Sequence, residues 1–115
     1  MGTIATDLGS IHISNDVLAI LVGRCAEQCY GIVGMAAKRA SDGISQLLNL
    51  ENYSRGIKVR SKGDEVEIDM YVVVEYGVSI NAVAQTAIET VKYTVERQTS
   101  LKVKKVNVSV ESVRV

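Results

Sequence analysis

The chain has 115 residues, with 13 basic and 13 acidic side chains and 47% hydrophobic residues. That length suits one domain able to bury a sizeable core, and the balanced charge argues against a nucleic-acid binder, which usually carries a net positive face. With no Trp, Phe or Pro, the core is expected to be aliphatic.

The N-terminus lacks the basic and apolar regions of a secretory signal. The apolar run Val17 to Val22 is far shorter than the roughly twenty residues of a membrane span. The chain is therefore expected to be cytoplasmic and soluble.

Ile11 and Ile13 alternate with Ser10 and His12, which predicts a short first strand. Ser14 can cap a helix over Asn15 to Tyr30, with Asp16 near its positive end and Gly31 as its left-handed stop. Leu18, Leu21, Val22, Cys25 and Cys29 form one apolar stripe on this helix. Val17, Ile20 and Arg24 form a second. A helix lying on a sheet needs only one such stripe, so the second is expected to meet the other helix or another subunit. Cys25 and Cys29, both placed on the helix, are expected to be buried free thiols, as suits a reducing compartment.

Gly31 to Ala36 reads as a short extended piece. Residues 38 to 56 are polar, with a weak helix suggested by Ile44, Leu47, Leu48 and Leu50. Ile57 and Val59 alternate with Lys58 and Arg60, and Lys62-Gly63-Asp64 makes a hairpin turn. In the next strand Val66, Ile68, Met70, Val72 and Val74 point one way. Glu65, Glu67, Asp69, Tyr71, Val73 and Glu75 point the other, so helices are expected on one side of the sheet only. Tyr76 continues the apolar parity. Gly77 ends the strand, and Ser79 caps a second helix running to Gln98, with Asn81, Gln85, Glu89, Lys92 and Glu96 outward. Val106 to Val110 form the last strand; Val113 and Val115 fall in the opposite parity, so a bulge near Glu111 and Ser112, or the end of pairing, is expected. On that strand Lys102 and Lys104 share one face and Lys105 takes the other.

The fold class read from this order is α+β: a two-layer sandwich, β-α-β-β-α-β, with a mixed sheet and helices on one face. Residues 1–115 form a single domain.

Candidate chemistry is sparse. His12 has no nucleophile expected beside it, and with Cys25 and Cys29 it makes too small a set for a metal site. The acids Glu65, Glu67, Asp69 and Glu75 lie on an open sheet rather than in a cleft. They are expected to pair across strands with Lys58, Arg60, Lys104 or Arg114. Gly31 to Gly34 matches the Gly-x-x-Gly clamp of KH domains. Its intervening residues are apolar, and the nearest basic residues are Lys38 and Arg39. A small RNA-binding module using this loop is the alternative reading.

Several segments together resemble the alkaline shock protein family, also called the Gls-type envelope stress response family. They are Gly9-Ser-Ile-His-Ile-Ser14, Tyr30-Gly-Ile-Val-Gly-Met35, Gly56-Ile-Lys-Val59, Glu75-Tyr-Gly77 and Lys102-Val-Lys-Lys-Val-Asn-Val-Ser-Val110. The resemblance implies a small non-enzymatic bacterial protein tied to envelope or alkaline stress, without catalytic residues, metal or cofactor. It also implies homo-oligomers and, in some members, a membrane-anchored protein partner. The candidate interaction surface is Val17, Ile20, Arg24, Gly31, Gly34, Lys38 and Arg39.

Overall fold

The computed structural model describes residues 2–36 and 56–115. The helix suggested within 38 to 56, and Lys38 and Arg39, lie outside them. The elements run β1 (Gly2–Thr6), β2 (Gly9–Ile13), α1 (Asn15–Glu27), β3 (Ile32–Met35), β4 (Ile57–Lys62), β5 (Glu65–Glu75), α2 (Ile80–Thr99) and β6 (Lys102–Arg114). The α+β class and its order hold, with one strand added at the front and the short extended piece after the first helix forming a strand of its own, β3.

β5 is the spine of the main sheet. β4 pairs antiparallel with Glu65 to Met70, and β3 pairs antiparallel with Val72 to Val74. β6 pairs parallel along the whole of β5, from Glu65 to Glu75. Because β3 and β4 bind different halves of β5, they lie end to end along one of its edges, with β6 along the other. They meet at Tyr71: its carbonyl accepts from the Ala36 N–H at 2.8 Å, and its N–H donates to the Gly56 carbonyl at 2.8 Å.

The core follows the alternation of β5. Val66, Ile68, Met70, Val72 and Val74 are at most 1% exposed. Against them pack Leu18, Val22, Cys25 and Ala26 of α1 and Val83, Ala87, Val91 and Val95 of α2. The α2 set recurs every four residues, which keeps it on one stripe. Burying each large aliphatic side chain contributes roughly 1.5–3 kcal/mol. Both helices start as expected: Ser14 Oγ accepts from Val17 N–H at 3.2 Å and Ser79 Oγ from Ala82 N–H at 3.3 Å.

The differences from expectation are local. The strand at Ile11 and Ile13 is the second arm of a hairpin whose first arm, β1, has little alternation to announce it. The hairpin forms its own two-stranded sheet, tied to the body by the Thr3 N–H donating to the Gly63 carbonyl at 2.9 Å. α1 ends at Glu27 rather than Tyr30, with Gln28 as its C-cap in a right-handed conformation. Gly31 does adopt positive φ, at 89°, but as the entry to β3, where its N-side neighbours have already left the helix. α2 stops at a left-handed Ser100. β6 is longer than Val106 to Val110 because its charged ends also pair with β5.

Candidate interaction surface

The side of the sheet away from the helices carries a charge ladder. Glu65, Glu67 and Asp69 of β5 stand opposite Lys62, Arg60 and Lys58 of β4. On the other side they stand opposite Lys102, Lys105 and Asn107 of β6. An acidic row is thus flanked by two largely cationic rows. Arg60 bridges Glu67 at 3.1 Å and also binds Asp69, and Asn107 donates to Asp69 at 2.8 Å. The Arg60 guanidinium holds the Asp69 carboxyl below its usual range, against the opposing effect of partial burial.

This ladder corrects the lysine assignment. A register shift between Val66/Val103 and Glu67/Lys105 skips Lys104. Lys102 and Lys105 therefore both meet the acidic row, and Lys104 is the displaced residue. The expected bulge at Glu111 is present: Val110 opposes Val72 and Ser112 opposes Val73. Arg114 stands opposite Glu75 as expected. Between Asp69 and Glu75 the same face is uncharged, with Tyr71 opposite Ser109, and Val73 opposite Gly34 and Ser112. Tyr76 falls past the end of β5; its N–H still donates to the Arg114 carbonyl at 3.0 Å, but its side chain is 72% exposed.

The candidate residues separate into two groups. Val17, Ile20 and Arg24 fall on the side of α1 turned away from Leu18, Val22 and Ala26. Val17 is 54% exposed, Ile20 half-buried and Arg24 exposed. The second stripe therefore faces outward. α1 meets α2 instead through Cys25, whose Sγ lies 3.7 Å from Thr94 Oγ1. Gly31 is buried, and a Cβ built on it would lie 2.5 Å from Val83 Cγ2. Gly34 belongs to β3 and pairs with Val73. The Gly31–Gly34 stretch is thus a helix exit and a strand, not the exposed loop that a backbone clamp requires.

The two cysteines are free and buried, but only Cys25 is helical; Cys29 lies in the turn beyond α1 and donates to the Cys25 carbonyl at 3.5 Å. A hydrogen bond from Cys29 pulls the Cys25 thiol down to about 6 against the cost of burial, with Thr94 helping. The same pairing and burial push Cys29 up. The pair shares its protons as a unit. His12 lies on the exposed β2, with Nδ1 at 3.2 Å from Thr3 Oγ1, and no thiol joins it there. Among the described residues no helix is long and apolar enough to cross a membrane.

The model of the ASP23 (alkaline shock protein) family, described as having a cell envelope-related function, matches residues 3–115. An uncharacterized protein of Bacillus subtilis strain 168, YloU, is 48% identical over 111 residues, covering 96% of this chain and 92% of that protein. A second, Spy1614 of Streptococcus pyogenes serotype M6, is 41% identical over 113 residues, covering 97% and 93%. Among solved structures, one of the MamM CTD aligns with TM-score 0.53 at 16% identity, covering 86% of this chain and 98% of that one. A zinc form of the same domain gives 0.54 at 15% identity, covering 88% of each. At such identities the likeness concerns the fold alone.

Proposed function

Because the chain belongs to the alkaline shock protein family ASP23, with its cell envelope-related function, we propose that it is a non-enzymatic interaction module that self-associates and docks on a protein partner. The observation that carries this reading is the outer face of α1. A helix that already buries Leu18, Val22, Cys25 and Ala26 also holds Val17 at 54% exposure beside half-buried Ile20. An apolar residue next to an exposed cation, Arg24, has the composition of an interface anchor with a polar rim. The stress served is envelope or alkaline stress, at the cytoplasmic side, with a membrane-anchored protein as one partner.

Light scattering coupled to size exclusion, run from low to high micromolar chain, tests the reading together with Val17→Arg. The expected result is an oligomer in the native chain, and loss of partner capture in the variant while its melting temperature is retained. A native chain that stays monomeric, with partner capture unchanged by Val17→Arg, would refute it.

A further inference from the structure

β6 is an edge strand. Its partner is β5, and among the described residues no strand pairs with its other side. An open edge offers a row of unpaired backbone groups to another strand. Near its start this one is guarded: the Val103 N–H donates to Glu96 Oε2 at 3.0 Å, and the register shifts at Lys104. From Lys105 to Val110 the ladder is regular, until the second shift at Glu111.

That regular stretch, together with Glu111 at the shift that ends it, is self-complementary. It reads Lys-Val-Asn-Val-Ser-Val-Glu from 105 to 111. Laid antiparallel on a second copy about a twofold axis at Val108, it sets Val106 opposite Val110, Asn107 opposite Ser109 and Lys105 opposite Glu111. Apolar meets apolar, polar meets polar and cation meets anion, each twice because a twofold interface repeats every contact. Lys105 stands opposite Glu67 of the acidic row, and Glu111 sits at the second register shift beside Ser112, which stands opposite Val73 of the same β5 face. A parallel in-register pairing would instead set Lys102, Lys104 and Lys105 each against its own copy.

Burial supports the same edge. Met70 and Val72 of β5 are fully buried, yet Val108 and Val110, their in-register neighbours on β6, are only half-buried. The apolar layer runs out to the edge without being closed. A second copy would bring its own Val106, Val108 and Val110 against that opening.

We propose that the outer edge of β6 is the surface for a second copy of this chain. The two strands pair antiparallel with Val108 on the axis, and the two main sheets join into one. This rests on the self-association proposed above and names its edge and register.

Sedimentation equilibrium on the full chain tests it with charge reversals. Glu111→Lys and Lys105→Glu each place two like-charge pairs in the dimer and should weaken it about tenfold. The double variant Lys105→Glu/Glu111→Lys restores opposite charges and should return to within about twofold of the native dimer. Melting temperatures of each monomer separate this from a folding defect. Amide exchange, which needs no substitution, should slow between Val106 and Val110 as concentration rises through the dimer constant. Single reversals without effect, a double variant that stays weak with a native melting temperature, or exchange independent of association would overturn the proposal. If Val17→Arg dissolves the dimer and Glu111→Lys does not, self-association runs through α1: the edge assignment fails and the broader reading stands. A chain monomeric at high micromolar concentration overturns the edge assignment, and with partner capture unchanged by Val17→Arg it overturns the broader reading as well.

Discussion

Replacing Gly31 by Ala tests the join between α1 and β3. Gly31 has φ of 89°, where an L side chain costs roughly 1–2 kcal/mol because Cβ crowds the following carbonyl. The new Cβ would also sit 2.5 Å from Val83 Cγ2 and 3.3 Å from Val83 Cγ1. Val83 is 6% exposed within the core, so it cannot retreat without displacing other packed atoms. Overpacking of that kind adds about 1–3 kcal/mol. The expected loss is about 3 kcal/mol, a large part of the roughly 5–15 kcal/mol that holds a domain folded. Urea unfolding with an unchanged m-value measures it. Val83→Ala removes the obstructing methyls, so Gly31→Ala/Val83→Ala should be less damaging than the sum of the singles by about 1–2 kcal/mol. Only the φ cost remains in that background. At Gly56, with φ of 75°, the obstructing atoms are the Ala36 and Tyr71 carbonyl oxygens at 2.6 and 2.9 Å, and no side-chain truncation can relieve Gly56→Ala. A Gly31→Ala loss below about 0.5 kcal/mol, the ordinary scatter of a surface substitution, or strict additivity with Val83→Ala, would refute the reasoning.

Two further outcomes follow from burial and charge. Leu18→Ala, at a fully buried position, should cost about 2–5 kcal/mol, whereas its neighbour Val17→Ala should cost the monomer under about 0.5 kcal/mol; equal losses in urea would mean that both stripes of α1 are covered. Arg60 holds Asp69 below its usual carboxyl range, so the folded chain takes up this proton at lower pH than the unfolded chain. The stabilisation is complete above the unfolded value near pH ~4 and is lost as pH falls through the folded value. Asp69→Asn should therefore flatten the acid limb of a stability–pH curve, and superimposable limbs would contradict the assignment.

Much of the fold was legible because its main elements are strongly periodic. Val66 to Val74 alternate without a break, and Val83, Ala87, Val91 and Val95 keep one helical stripe. Ser14 and Ser79 mark the helix starts through local hydrogen bonds that involve only residues three apart. β1 has no sequence signal because Gly2, Thr3, Ala5 and Thr6 give almost no alternation; its position comes from pairing with β2 and from Thr3 reaching Gly63. Tyr30-Gly31 resembles a helix stop three residues beyond the actual end of α1, because the chain turns earlier, at Gln28, to enter β3. A strict two-residue period puts the lysines on the wrong faces because it cannot anticipate the bulge at Lys104.

The candidate surface divides on the same principle. Helical spacing alone separates the stripe of Val17, Ile20 and Arg24 from that of Leu18 and Val22, since it depends only on angles along one helix. Which stripe is covered depends on residues distant in the chain. α2 meets α1 through Thr94 at Cys25, and this leaves Val17 outside. Gly31 carries no sign in the sequence of the Val83 methyl that confines it. The self-complementary run from Lys105 to Glu111 was present in the sequence throughout, but a strand offers such a run to a partner only at an edge. Sequence determined the alternation of that strand, because side-chain direction is a local property of extended backbone. Tertiary structure decided that β5 takes one side of β6 and leaves the other open, because sheet order is set by which distant strands find each other.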